Sequence, residues 1–253
     1  MSEPAEQSRL ALIVQMLKVN TSASIAEIAE NFHVSQMTIR RDLQKLVEAG
    51  QVIRIPGGAR IEHWRGAERS FFERLEKMSH AKRSIGAAAS ALVRDGESVV
   101  LDSGTTTLYV ARELRARRNI VVFTFSLAAL EELTAAEGIR VELTGGVYRS
   151  SSHDLIGHAV AKSLTSIFAD TVIFGAAAIS FDRGIMVYDP DAQHELLHAG
   201  KRKILAIDSS KIGTEATYRL CGIEDCDLIL TDKGISPDDL ARLGRITQVQ
   251  VAD

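Results

Sequence analysis

Val34-Ser35-Gln36-Met37-Thr38-Ile39-Arg40-Arg41-Asp42-Leu43 places Ile39 and Leu43 four residues apart, and Leu46 and Val47 extend the same face. That period predicts a helix with those four side chains inward and Gln36, Arg40, Arg41, Gln44 and Lys45 outward. Ser35 stands where a hydroxyl caps the first turn, and Gly50 where a helix of this length stops. Upstream, His33 and Val34 leave room only for a short turn. Before it, Ile25, Ile28, Ala29 and Phe32 stripe a second helix, and Ser24 and Glu27 have capping-box spacing. Leu10, Ile13, Val14 and Leu17 recur at i, i+3, i+4 and i+7, a third helix. Three amphipathic helices, the last two joined by a very short turn, describe a helix-turn-helix. Downstream, Val52, Ile53 and Ile55 favour strand and Pro56-Gly57-Gly58 favours a turn. Together they predict a β-hairpin wing with Arg54 and Arg60 at its base.

Charge fits this reading. A formal net charge of −3 over 253 residues argues against a protein that coats nucleic acid indiscriminately. Between residues 34 and 60, however, Arg40, Arg41, Lys45, Arg54 and Arg60 face only Asp42 and Glu48. A basic patch on a mildly acidic body suits a protein that meets DNA with one end. The alternative is a small helical packing module with no DNA role. No apolar stretch approaches the ~20 residues needed to span a bilayer. The opening residues MSEPAEQSRL lack the layout of a signal peptide, so no membrane partner and a cytoplasmic location are expected. Cys221 and Cys226 match no zinc or redox spacing. No cofactor is expected.

Domain boundaries follow: residues 1–60 the winged helix-turn-helix, 61–80 a linker, 81–253 a larger α/β domain. The linker is charged and mixed, with the apolar pair Phe71-Phe72 as an anchor, and an alanine-rich helix is expected over 81–93. Apolar runs at Val99–Leu101, Ile120–Phe123, Ile139–Leu143, Thr171–Phe174, Ile204–Ile207, Leu228–Leu230 and Ile246–Val249 alternate with helical patterns. That alternation predicts a mostly parallel sheet covered on both faces. Ligands of such sheets bind beyond the carboxyl ends of the strands. There lies Asp102-Ser103-Gly104-Thr105-Thr106-Thr107, between a strand and a helix N-terminus. Gly104 permits close approach, hydroxyls supply donors, and the helix dipole favours an anion. No lysine follows in Walker spacing, so the loop suits a phosphate monoester rather than a nucleotide. A hydroxyl-rich helix cap is the alternative.

The run from Val34 to Leu43, followed by Pro56-Gly57-Gly58-Ala59, resembles the signature of the DeoR family of bacterial regulators. LDSGTTT at 101–107, Gly145-Gly146 after a strand, and Asp208-Ser209-Ser210-Lys211 after another resemble that family's sensor domain. The resemblance covers about residues 10 to 232. It implies a double-stranded DNA operator, a phosphorylated sugar or related metabolite as effector, and a repressor acting as a homodimer or homotetramer. The implied fold is a winged helix-turn-helix plus a ribose-5-phosphate-isomerase-like α/β sensor domain. Ser35, Gln36, Thr38, Arg40 and Arg41 become DNA contacts, with Lys45, Arg54, Gly57 and Gly58 beside them. Gln36 can pair with an adenine edge, and Ser35 and Thr38 can donate to phosphate. One of Arg40 and Arg41 is expected to bond phosphate, the other to pair with Asp42 or Glu48. In the sensor, Ser103, Gly104, Thr105 and Thr106 would hold the phosphate, while Thr124, Ser126, Gly145, Gly146 and Lys211 would line the rest.

Three departures from the family pattern bear on the pocket. Phe125 stands where the family often has asparagine. Ala177 and Ser180 stand in a stretch that often carries an acid. The helix around His194, Glu195 and His198 lacks a lysine common there. His194 and His198 at i, i+4 can also ligate a metal, but no third ligand has suitable spacing, so no metal is expected. A sugar-phosphate isomerase with an appended DNA module is the competing reading. It needs a carboxylate base, for which Asp102, Asp189 and Glu195 remain.

Overall fold

The computed structural model describes residues 9–14, 16–17, 22–48, 51–61, 71–190 and 193–253. Gly50, expected to end the third helix, and the side chain of Arg60, expected at the wing base, lie outside the described residues. The chain divides into two compact units, residues 1–70 and 71–253.

In the first unit, residues 9–14 and 16–17 are helical. Strand β1 (Ser22–Ser24) leads into the helix Ile25–Asn31, and the helix Gln36–Glu48 follows. Strands β2 (Val52–Ile55) and β3 (Gly58–Ile61) form the wing, and β1 joins them in the antiparallel order β1-β3-β2. The capping box at Ser24 is complete, with Glu27 N–H donating to Ser24 Oγ at 3.1 Å and Ser24 N–H to Glu27 Oε2 at 2.7 Å. Ile13, Leu17, Ile28, Ile39 and Leu43 are fully buried at the centre of the core. Strand β1 is an addition to the sequence reading, because three residues of Ser-Ala-Ser carry no alternation long enough to notice.

The second unit begins sooner than the expected linker ends. Phe71–Glu76 is a helix, and Ser79–Ala91 a second one in place of the expected 81–93. Phe71 is buried with Leu108 and Ala128, whereas Phe72 is exposed, so one ring of the apolar pair anchors the segment. The main elements are β4 (Ser98–Leu101), the helix Thr105–Leu114, β5 (Ile120–Thr124), the helix Leu127–Thr134 and β6 (Ile139–Leu143). A hairpin of β7 (Val147–Arg149) and β8 (Asp154–Ile156) and the helix His158–Leu164 come next. Strands β9 (Ala169–Phe174), β10 (Ala178–Ser180) and β11 (Gly184–Val187), the helix Gln193–His198 and β12 (Gly200–Ala206) follow. The chain closes with a 3-10 turn at Ser209–Lys211, β13 (Tyr218–Cys221), β14 (Leu228–Asp232), the helix Pro237–Gly244 and β15 (Gln248–Ala252).

Seven strands build one parallel sheet in the order β15-β14-β12-β9-β4-β5-β6. Its inner strands are apolar on both faces, while the edge strands β6 and β15 alternate apolar with polar residues. Val99, Leu101, Val122, Ile173 and Ile204 pack with Ile85, Val110 and Leu133 on one side. Val100, Val172, Phe174 and Leu205 pack with Val160, Leu164 and Leu196 on the other. The order turns back between β4 and β9, and crevices at such reversals, beyond the carboxyl ends of the strands, are where open α/β sheets take ligands. The small antiparallel sheet β10-β11-β13 and the β7-β8 hairpin escape the sequence reading because their strands are three or four residues long.

Candidate functional sites

The helix Gln36–Glu48 keeps its apolar stripe inward and exposes Gln36, Arg40, Arg41, Gln44 and Lys45. Ser35 caps it, its Oγ accepting the Thr38 N–H at 3.1 Å and lying 2.9 Å from Thr38 Oγ1. Such a cap stabilises a helix by about 1 kcal/mol. The acid of the run behaves differently from expectation. Asp42 is buried, and accepts from Arg9 Nε at 2.6 Å and Arg9 Nη2 at 3.1 Å. Glu48 accepts from Gln44 Nε2 at 3.0 Å, and Gln44 Oε1 meets Arg54 Nη1 at 3.5 Å. The expected pairing of Arg40 or Arg41 with Asp42 or Glu48 is therefore corrected. Asp42 sits three residues past Ile39 on the inner face, and both arginines stay on the outer one. Met37, which the sequence reading passed over, is 67% exposed in the same stripe.

The wing glycines divide their roles. Gly57 has φ +76° in the turn, and its carbonyl accepts the Ile25 N–H at 2.9 Å. Gly58 is buried, and a Cβ there would lie 2.3 Å from the Ala23 carbonyl oxygen. Gly58 therefore lets β1 approach β3.

In the second unit the 102–107 loop leaves β4 at the reversal of strand order. Asp102 is buried; its Oδ2 accepts the Gly175 N–H at 2.9 Å, tying the end of β4 to the end of β9. Its Oδ1 accepts Ser103 N–H at 2.7 Å and Gln193 Nε2 at 3.2 Å. Burial pushes the Asp102 carboxyl up to about 7, against those donors. Gly104 precedes the helix Thr105–Leu114 in extended conformation with no side chain capping the first turn. Ser24, Ser126 and Ser236 each cap theirs through a hydroxyl, whereas the helices that open after Met78 and Gly157 also lack a side-chain cap. The open N–H groups and helix dipole make the turn at Gly104 receptive to an anion.

Ser103 Oγ donates to Asp154 Oδ2 at 2.7 Å. Asp154 is buried and held by Arg149, Nη2 to Oδ2 at 2.9 Å and Nε to Oδ1 at 3.1 Å, and by Ser152 Oγ at 2.5 Å. Arg149 Nη1 reaches Asp189 Oδ2 at 2.5 Å. This chain of charge-assisted bonds fixes the β7-β8 hairpin against the loop.

Other expected residues hold bonds within the fold. Thr107 Oγ1 donates to Gly104 O at 3.0 Å, and Thr124 Oγ1 to Leu101 O at 2.8 Å. Ser126 Oγ accepts Ala129 N–H at 3.1 Å as a helix cap. Thr124 and Ser126 are both buried. Thr105 and Thr106 are buried in the first turn of the helix. Gly145 and Gly146 have φ of +76° and +136°, and a Cβ on Gly146 would lie 2.8 Å from Ile156 O. Lys211 Nζ donates to Ala176 O at 2.8 Å, beyond the end of β9.

Residues 9–64 match the DeoR-like helix-turn-helix domain, and residues 77–233 match the DeoR C-terminal sensor domain. The chain belongs to the DeoR family of transcriptional regulators. It is 32% identical over 231 residues to the HTH-type transcriptional repressor GlcR of Bacillus subtilis, covering 90% of this chain and 89% of the relative. It is 31% identical to the transcriptional repressor AccR of Agrobacterium fabrum, with 90% of each covered. To the lactose phosphotransferase system repressor of Lactococcus lactis it is 29% identical over 98% of this chain and 99% of the relative. Among solved structures, ribose 5-phosphate isomerase A of Methanocaldococcus jannaschii aligns over 53% of this chain and 54% of its own. Its TM-score is 0.39 at 17% identity, a likeness too distant to carry any argument.

Within this DeoR-family sensor, the departures fall unevenly. The Phe125 ring is buried in the core with Leu155 and Val160, and its carbonyl accepts Leu155 N–H at 2.8 Å. Ala177 N–H donates to Met186 O at 2.9 Å, and Ser180 Oγ lies 3.4 Å from Glu215 Oε1. Among the described residues no group of three metal-ligating side chains occurs, and His194 and His198 are exposed. Asp154, Arg149, Gln193 and Lys82 were missed from sequence. Lys82 alone left a usable signal: it falls on the buried stripe of its helix with Ile85, Gly86 and Ala89.

Proposed function

We propose that this chain is a repressor that binds a double-stranded operator through Gln36–Glu48 and the wing. Its operator affinity is controlled by a phosphorylated sugar or related metabolite bound at the 102–107 loop. The observation that carries the reading is the helix opening at Gly104 without a side-chain cap, at the strand-order reversal, with Ser103 and Gly104 half-exposed beside it. The exposed stripe of Gln36, Met37, Arg40, Arg41 and Lys45 supports the DNA half: an amide and an apolar tip suit base edges, and the cations suit phosphates. Relatives named as repressors, one of a lactose phosphotransferase system, support a sugar-linked effector. A homodimer or homotetramer supplies the two helices that a pair of operator half-sites needs, and the cytoplasm is where its operator lies. No helix among the described residues is long and apolar enough to cross a membrane.

A regulator is favoured over an isomerase by the state of two of the three candidate bases, Asp102 and Asp189. Both Asp102 oxygens are held by donors, and Asp189 is paired with Arg149. An effector changes operator affinity only by binding two arrangements of the protein unequally. The test is fluorescence anisotropy on the protein's own upstream DNA at two salt concentrations, with a panel of pentose and hexose phosphates. Tight, salt-sensitive binding altered by one phosphate ester is expected. Binding indifferent to every ester, or turnover of one of them, would overturn the sensing half.

A further inference from the structure

Lys82 is 2% exposed, yet no ion pair among the described residues includes it. Its ammonium donates to the carbonyl oxygens of Arg74 and of Lys77, the latter at 2.6 Å. Lys211 lies close enough to repel it and Asp208 close enough to attract it, and burial with Lys211 and Arg74 pushes Lys82 down to about 8. With carbonyl oxygens in direct contact, and the single carboxylate of Asp208 set against the cations Lys211, Arg74 and Lys77, this buried ammonium gains from a further anion.

The position of Lys82 says which anion. Gly86 packs on Tyr109 so closely that a Cβ would lie 2.7 Å from the Tyr109 carbonyl carbon. The helices Ser79–Ala91 and Thr105–Leu114 flank β4 in sequence and both run against it, so they are parallel. One turn before Gly86 is Lys82; one turn before Tyr109 is Thr105. Lys82 therefore stands level with the open first turn that follows Gly104. The carbonyls it holds end the helix Phe71–Glu76 and the turn after it, the first described segment beyond the stretch that follows the wing.

We propose that Lys82 is the relay of the sensor unit: an anion bound at the 102–107 loop takes its ammonium as counter-charge and draws it off the Arg74 and Lys77 carbonyls. The end of the Phe71–Glu76 helix is thereby loosened when effector binds. This inference rests on the anion-binding reading of the loop, and adds the path by which occupancy leaves it.

Amide exchange of the full-length protein, read by mass spectrometry, separates the two. Inorganic phosphate and the pentose and hexose phosphates serve as probes, with chloride matched for ionic strength. The expected result is slower exchange in peptides over 102–110 and faster exchange over 71–80, the latter by about tenfold for the loss of one charge-assisted bond. Protection over 102–110 with no change over 71–80 overturns the relay and leaves the loop reading intact. No protection at either place, with any probe, overturns both. Lys82→Met is expected to exchange fast over 71–80 without any probe and to bind phosphate about tenfold more weakly. Lys82→Arg, which keeps the charge, should restore phosphate binding to within a few-fold. Equal phosphate affinity in wild type and Lys82→Met would refute the counter-charge role, and a purely structural lysine would show no probe-dependent change in the wild type.

Discussion

Adding one methyl group at each of two adjacent glycines should have very different consequences. At Gly57, φ is +76° and no atom lies within 4 Å of an added Cβ. Gly57→Ala therefore meets only the left-handed backbone penalty, about 1–2 kcal/mol. At Gly58 the same methyl would lie 2.3 Å from Ala23 O and 3.0 Å from Ser24 Cα. A carbon meets a carbonyl oxygen comfortably at about 3.3 Å, so β1 must withdraw by about 1 Å from β3. That withdrawal strains the pairing of Ser24 with Gly58 and Ala23 with Ala59. Overpacking costs about 1–3 kcal/mol, and each ladder bond lost adds about 1 kcal/mol. The sum, about 3 kcal/mol or more, is a large part of the roughly 3–9 kcal/mol that a ~60-residue unit commands. Operator anisotropy of the full-length protein across a urea series, with amide exchange over 22–61, reads both variants. Gly58→Ala should lose DNA binding at clearly lower urea than Gly57→Ala, with exchange raised in β1 and β3 alike. Equal behaviour, or a milder Gly58→Ala, would refute the close-approach argument.

Asp42→Ala removes a carboxylate that holds Arg9 and should cost about 1.5–3 kcal/mol, the range for hydrogen bonds to charged groups, seen as a lower unfolding midpoint of the first unit; an unchanged midpoint would mean the pair contributes nothing. Arg40→Ala and Arg41→Ala should leave stability within about 0.5 kcal/mol and reduce the salt slope of operator binding by about one each; unchanged slopes would remove them from the phosphate backbone. Asp102, raised to about 7 in the folded protein from 3.8, adds stability that is full below pH 3.8 and lost as pH rises towards 7. Between about pH 5 and about pH 8 the unfolding free energy should fall by about 2–3 kcal/mol from this group, and Asp102→Asn should abolish that component; an identical pH profile in both proteins would refute it.

The sequence by itself determined what repeats at short range. Ile39, Leu43 and Leu46 fixed the recognition helix by period, Ser24 and Glu27 fixed a helix start by spacing, and the apolar runs fixed the parallel sheet. The 102–107 loop was legible because a strand, a glycine and a helix start stand next to one another in the chain. Only the tertiary structure decided which polar side chains bond within the fold, and to what. Thr107, Thr124 and Ser126 looked like ligand donors but bond backbone groups, while Asp42 looked like a partner for its neighbours but reaches Arg9, 33 residues away. Ser103 with Asp154 and Asp102 with Gly175 meet only when the sheet order is set, and Gly86 with Tyr109 only when the helices pack. A hydrogen bond requires its partners within about 3 Å, and no local pattern records which distant residue the fold will bring that near.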